Sequence, residues 1–328
     1  MRRTLSARHD RFALNRPFRI SRGVRTVADV VTVMVTGSNG DEGRGEGVPY
    51  PRYGENVAAV LAQIEAVAGA IADGCTRADL LTGMPAGAAR NAVDCALWDL
   101  EAKKCGTSVA AMISASRPAP MATALTVVID TPAAMSRAAA AIAAAPLIKV
   151  KVDADDPAAA VRAVRRAAPN AALIVDPNES WSEATMRAAM PALVEAGVAL
   201  LEQPVPAGDD EWLADYDSPI PVCADEAIHT VAELERIATR YDAVNVKLDK
   251  AGGLTAALEL ARATRERGLK LMSGCMVCSS LGIAPALLIA READWADLDG
   301  PLWLAEDRAG GVTGKDGWLL PPSEGFWG

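Results

Sequence analysis

Histidine is nearly missing from this 328-residue chain, which has only His9 and His229. A Ser–His–Asp triad, a catalytic His–Asp dyad or a multi-histidine metal site is almost ruled out. Proton chemistry must fall to Lys, Asp, Glu, Cys or Tyr. Excess basic charge is also absent. Against 42 Asp and Glu stand 33 Lys and Arg, a net charge of −9, which argues against nucleic acid as a partner. No run of eighteen apolar residues occurs, so no membrane span is expected. The basic start, with Arg2, Arg3, Arg8 and Arg11, is followed by no apolar stretch. It does not read as a signal peptide, and a cytoplasmic location is expected. The six cysteines, at 75, 95, 105, 223, 275 and 278, are scattered along apolar segments and are expected as free thiols. Cys275 and Cys278 form a C-x-x-C, open to a redox or half-zinc reading, but no second pair and no nearby histidine completes it.

What is present is a large apolar share, 51 % of residues, enough to bury a sizeable core. Residues 1–115 read as α+β. Ala28–Thr36 is β-branched and strand-like, and Gly43, Gly45 and Gly47 punctuate a turn region. Two helical runs cover 55–72 and 86–104, with Gly106 as a C-cap. Pro17–Arg25 reads as an exposed loop. From about residue 120, short apolar runs alternate with alanine-rich helical runs, including 230–239 and 280–292. Eight strand candidates over some 180 residues predict parallel strands with helices outside, a (β/α) barrel. A doubly wound sheet is the alternative, weakened because no Gly-rich phosphate loop follows the first strand.

In such barrels chemistry sits at the C-terminal ends of strands. Strand two closes with Lys149-Val150-Lys151, both lysines on one face by alternation. Strand three closes with Asp176 and then Asn178, strand four with Glu202, strand five with Asp225-Glu226 and strand six with Lys247. Taken singly, each has a plainer reading as a solvated edge or a helix cap. Together, three carboxylates at successive strand ends repel one another and need a cation. All-oxygen ligation with room for substrate suits Mg²⁺. A cation against a substrate carboxylate stabilises the charge that forms when the adjacent C–H is deprotonated. Lys151 is assigned as one acid/base with Lys149 as its charged neighbour, which should lower its pKa. Lys247, from the opposite side, is the second. Asp249 shares the face of Lys247 if the strand continues, and would then raise the pKa of that lysine; the other reading is a local ion pair with Lys250.

With these residues the chain resembles the enolase superfamily, in its muconate-lactonizing branch. The likeness rests on Lys149-Val150-Lys151, Asp176-Pro177-Asn178 with Trp181, Glu202-Gln203-Pro204, Ala224-Asp225-Glu226, and Asn245-Val246-Lys247 followed by Ala251-Gly252-Gly253. It implies a capping domain (1–115) over a (β/α)7β barrel (116–305), with 306–328 packing back on the cap, and Mg²⁺ on Asp176, Glu202 and Asp225. The mandelate-racemase branch has a histidine where strand seven here reads Lys270–Gly274. Asp297 and Asp299, one face of the last strand, resemble the Asp-x-Asp that holds the ammonium group in dipeptide epimerases. Gly274–Ser280 resembles their strand-seven loop, so that Cys275 and Met276 would meet substrate through the backbone. Thr126 matches a pocket position, Asn178 lies beside the site, and Tyr53 falls on a second capping loop. Gly23-Val24-Arg25 resembles the loop whose arginine meets a glutamate side chain, with Arg22 a competitor for that role.

The resemblance implies an isomerase, a two-lysine epimerase of L-Ala-D/L-Glu in the recycling of wall peptides. Its partner would be a small-molecule dipeptide, with neither nucleic acid nor membrane involved; whether it forms a homo-oligomer stays open. Alternatives are an epimerase for other dipeptides, o-succinylbenzoate synthase or a cycloisomerase, and a non-catalytic binding protein on the same fold. The synthase and cycloisomerase readings leave Asp297 and Asp299 without an ammonium to hold.

Overall fold

The computed structural model describes residues 2–328. Its first sheet is antiparallel, β1 (Thr4–Ile20), β2 (Gly23–Thr36) and β3 (Glu42–Gly47), in that order. Pro17–Arg25 is therefore not a free loop. Phe18 pairs with Arg25 and Ile20 with Gly23, so this segment is the end of a long hairpin turning at Ser21-Arg22. No residue of β1 is fully buried, and an edge strand without a buried face leaves only a weak apolar alternation in the sequence.

Helices α1 (Val57–Ala66), α2 (Ala68–Ala72), α3 (Arg77–Gly83) and α4 (Ala88–Cys105) pack on this sheet. Val31, Val33 and Val35 of β2 meet Val60, Ile64, Ile71, Leu80 and Leu97 in a common core. Gly43, Gly45 and Gly47 mark no turn. They are alternate residues of β3, and a methyl on each would stand 2.1 Å from the carbonyl oxygens of Ala96, Ala92 and Ala88. Strand period two meets helix spacing four, and the backbones approach so closely that only glycine fits.

After a short strand β4 (Met121–Ala122), eight parallel strands follow in sequence order around one sheet. They are β5 (Leu125–Val127), β6 (Leu147–Lys151), β7 (Ala172–Asp176), β8 (Val198–Glu202), β9 (Val222–Ala224), β10 (Ala243–Val246), β11 (Lys270–Gly274) and β12 (Trp295–Asp297). The Ala124 amide donates to Ala296 O (2.8 Å) and the Leu298 amide to Thr123 Oγ1 (2.8 Å), closing the barrel. Its floor is a layer of one side chain per strand segment: Ala124, Leu147, Ile174, Leu200, Cys223, Ala243 and Met272, with Trp295 beside them. The interior is thus packed below the strand ends, which confines chemistry to the top. Outer helices start at side-chain caps, Thr131, Asp156 and Ser182, each accepting from a backbone amide three residues on. The helix expected over 230–239 shrinks to Val231–Glu233 and Leu234–Ile237. That over 280–292 splits at Pro285 into Ser280–Ile283 and Ala286–Ala290.

The other side of α4 docks on the barrel. Arg90 donates to Ala251 O (2.7 Å) and Gly252 O (3.0 Å), Asn91 to Asp249 Oδ1 (2.8 Å), and Thr255 Oγ1 to Asp94 (2.6 Å). Gly252 and Gly253 sit at φ 81° and 114°, and a methyl on either would lie 2.5 Å from Arg90 Nε or Asp94 Oδ2. At the other end β14 (Trp318–Leu320) pairs with β4 on one side and with β13 (Thr313–Lys315) on the other. The last residues return to the first sheet and α4: Trp327 Nε1 donates to Arg44 O (3.0 Å) and the Gly328 amide to Asp99 Oδ1 (2.8 Å).

Candidate active site

The polar residues at the strand ends converge at one mouth. Lys149 and Lys151 point into the barrel from β6, while Ile148 and Val150 join the surrounding core. Asp176 ends β7, Glu202 ends β8, Asp225 follows β9 and Lys247 follows β10. Lys151 Nζ lies 2.5 Å from Asp176 Oδ2, and Lys247 Nζ 2.7 Å from Asp225 Oδ2. Lys149 Nζ stands between three carboxylates: Glu202 at 2.7 Å, Asp297 at 2.8 Å and Asp176 at 3.0 Å. With this ammonium between them, no group of three His, Cys, Asp or Glu side chains is already closed into a metal cage among the described residues. Because β6 and β10 are four strands apart in a ring of eight, Lys151 and Lys247 face each other across the mouth.

All of these groups are buried, and their neighbours decide their charge. Burial opposes ionisation of Asp176, but Lys149 and Lys151 outweigh it and hold the carboxyl near 2. Burial likewise opposes Asp225, and Lys247 with Lys250 hold it well below the usual range. Glu202 goes the other way, up to about 7, through burial and the neighbouring charge of Asp176. Its Oε2 lies 2.7 Å from the Lys149 ammonium but makes no well-directed hydrogen bond among the described residues. Lys149 and Lys247 stand among carboxylates as well as lysines. Burial does push both down, but the carboxylates around them (Asp176, Asp297 and Glu202 for one, Asp225 for the other) raise both above the ordinary lysine value. Negative groups outnumber positive ones here, which strand-by-strand alternation does not reveal.

Above these groups is a cavity of about 460 Å³. Thr126, Lys149, Lys151, Asn178, Asp225, Lys247, Cys275, Met276, Asp297 and Asp299 line it from the barrel, and Arg25, Tyr50 and Tyr53 from the cap. Asp176 and Glu202 lie deeper, off the wall. Asp299 Oδ2 accepts from the Thr126 amide (2.8 Å) and Trp303 Nε1 (3.1 Å), and burial with Asp297 alongside raises it to about 6. Asp297 Oδ1 is buried and has no hydrogen-bond partner among the described residues. Asn178 Oδ1 accepts from Lys151 Nζ at 3.0 Å.

The two arginines of the hairpin separate. Arg22 is committed within the protein, donating to Glu226 Oε1 (2.7 Å), Asn178 O (3.0 Å) and Tyr50 OH (3.1 Å). Arg25 has no ion pair among the described residues and lies over the Tyr50 ring at 4.8 Å. Asp249 is not on the face of Lys247, because the chain turns into a helix, Leu248–Ala251, directly after it. Asp249 points to the cap instead, accepting from the Val48 amide and Asn91 (both 2.8 Å). Nor does it pair with Lys250, whose ammonium reaches Asp225 Oδ1 (2.6 Å). The sequence gives no role in the site to Glu226, Tyr50 or Gln203, and to Lys250 only a pairing with Asp249 that does not form. Gln203 Oε1 accepts from the amides of Asp225 and Ala227 (2.9 and 3.0 Å), and so shapes the loop after β9. Its position in Glu202-Gln203-Pro204 was the available signal.

Comparison with known proteins agrees with this arrangement. Residues 2–114 match the mandelate racemase / muconate lactonizing enzyme N-terminal domain, and residues 133–325 the enolase C-terminal domain-like family. The L-Ala-D/L-Glu epimerase of Escherichia coli is 47 % identical over 93 % of this chain and 95 % of that protein. An N-acetyl-D-glutamate racemase from a Pseudoalteromonas species is 44 % identical over 87 % of this chain and 91 % of its own. A crystal structure of an enolase family member from Agrobacterium tumefaciens, described as homologous to dipeptide epimerases and holding sodium and L-Ala-L-Glu, superposes with a TM-score of 0.97. It is 46 % identical and covers 99 % of this chain and 100 % of that one. The chain belongs to the enolase superfamily, in its mandelate racemase / muconate lactonizing enzyme family.

Proposed function

We propose that the protein is a dipeptide epimerase that inverts the α-carbon of an acidic second residue, with L-Ala-D/L-Glu as substrate. The observation that carries this reading is Asp297, whose buried, unpartnered Oδ1 lies beside Asp299 on the wall of a cavity flanked by two opposed lysines. A free peptide ammonium suits that pair, and an N-acylated amino acid has none to offer. Arg25, unpaired at the cap side, is the group for the acidic side chain.

The donor set fits a divalent cation. Asp176, Glu202 and Asp225 offer hard oxygens, one Glu202 oxygen is buried without a hydrogen bond among the described residues, and burial beside Asp176 raises Glu202 to about 7, a shift that a bound cation would oppose. Held by these three residues, Mg²⁺ would supply positive charge to the substrate carboxylate and against the neighbouring ammonium groups. Lys151 and Lys247 then serve as the two acid/bases. One removes the α-proton from its face, and the other returns a proton from the opposite face. Asn178 orients Lys151 through the 3.0 Å bond to its Nζ. Lys149 remains an ammonium among Asp176, Glu202 and Asp297 and balances their charge.

The test is proton NMR of L-Ala-L-Glu with the protein and Mg²⁺ in D₂O. The glutamate α-proton signal should disappear while the D-epimer grows in. Lys151→Ala and Lys247→Ala should each abolish epimerisation, and each should leave α-exchange of only one epimer. Exchange of N-acetylglutamate in place of the dipeptide would move the reading to the racemase class.

A further inference from the structure

Both cap segments over the cavity are tied to one buried carboxylate that no step above uses. Glu179 lies three residues after Asp176, and its side chain is only 8 % exposed. Arg52, on the turn Pro51–Tyr53, grips it with a fork, Nε to Oε2 at 2.7 Å and Nη2 to Oε1 at 2.8 Å. Arg22, at the hairpin turn, reaches Oε2 at 3.4 Å, and the Ala207 amide from the loop after β8 donates to Oε1 at 2.9 Å. The backbone that presents this carboxylate is strained. Asn178 and Glu179 both have positive φ, 47° and 67°, a conformation that costs a non-glycine residue energy and persists only where its surroundings enforce it. Among the enforcing contacts are the Asn178 amide on Asp176 Oδ1 (2.8 Å) and the Glu179 amide on Gln203 O (2.9 Å).

We propose that Glu179 is a positioning residue that latches the Pro51–Tyr53 turn, and with it Tyr53 and the hairpin end, over the substrate cavity. The strained pair swings the carboxylate up from the barrel rim to where the Arg52 fork can close on it. Tyr53, the next residue after Arg52, lines the cavity, so releasing the fork opens the wall on the side of the cap. Substrate binds the latched form, and apparent affinity falls by the fraction of molecules left unlatched. The turnover arm of the test rests on the dipeptide reading; the exchange arm does not.

Glu179→Gln, Arg52→Met and the double variant would be compared with the unaltered full-length protein. Arg52 is 39 % exposed on its side chain, so its substitution leaves folding intact if the Glu179 variant does not fold. Hydrogen–deuterium exchange should quicken in segments 50–54 and 18–26 of each single variant, while the barrel strands keep their protection. For L-Ala-L-Glu, KM should rise about tenfold in each single variant, with kcat within about threefold. The double variant should be no worse than either single one, and Arg52→Lys, which keeps charge but loses the fork, should recover part of the loss. Unchanged exchange in both single variants, or losses that add in the double variant, would overturn the latch. No turnover by the unaltered protein would instead overturn the substrate reading, with the exchange arm still deciding the latch.

Discussion

Asp249 should make the stability of this protein fall with pH in a way that one substitution removes. Burial, with Glu55 and Glu46 nearby, raises its carboxyl to about 7 from the 3.8 of a free aspartate, while its bonds to Val48 and Asn91 oppose the shift without cancelling it. The native state therefore keeps this proton to near neutrality, whereas the unfolded chain releases it above about pH 4. The folded state is the better proton binder, so stability from this group is full below pH 4 and declines as pH rises to about 7. A shift of about three units at roughly 1.4 kcal/mol each sets an upper limit of about 4 kcal/mol. Asp249→Asn keeps an acceptor for both donors and has no proton to lose. Urea unfolding of both proteins at pH 5, 6, 7 and 8 would show the variant gaining on the wild type by roughly 1 kcal/mol per pH unit, then levelling. A difference that stays flat across this range would mean that Asp249 is ionised throughout, and the reasoning from its burial would be wrong.

Other outcomes can be stated more briefly. Gly45→Ala sets a methyl 2.1 Å from the Ala92 carbonyl, and should cost about 3 kcal/mol or more in a urea titration, where Gly40→Ala, with nothing within 4 Å, pays only for its positive φ. Asp297→Asn should weaken L-Ala-L-Glu binding about tenfold to a hundredfold in KM, since a charge-assisted partner for the ammonium is lost; an equal loss for an N-acetylated substrate would deny that role. Chelation should abolish turnover and added Mg²⁺ restore it, and Glu202→Gln should raise the Mg²⁺ requirement at least about tenfold by calorimetric titration.

The barrel was legible because its strands are short apolar runs ending in charged residues at intervals of one βα unit, and a regular repeat of that kind survives without tertiary information. What escaped depends on contacts between distant segments. Glycine at alternate positions reads as a turn until a helix backbone is known to lie on it, as α4 does on Gly43, Gly45 and Gly47. Alternation carried past Val246 left Asp249 open between the face of Lys247 and a pair with Lys250, and neither holds, since nothing local announces that the strand becomes a helix at Leu248. Local sequence leaves Arg22 a competitor of Arg25, and distant partners, Glu226 more than 200 residues away among them, settle the matter by engaging Arg22.

The docking of α4 bears on how readily such proteins can be recombined. Arg90, Asn91 and Asp94 of the helix reach Asp249, the Ala251-Gly252-Gly253 turn and Thr255 of the barrel, and neither glycine tolerates a side chain against them. The cap that carries the loops over the cavity is therefore not an interchangeable module. A chimera that takes its first hundred residues from one relative and its barrel from another inherits both halves of a polar lock, and these must match. Grafting only the hairpin end and the Pro51–Tyr53 turn leaves that lock untouched, and is the safer route to a new specificity.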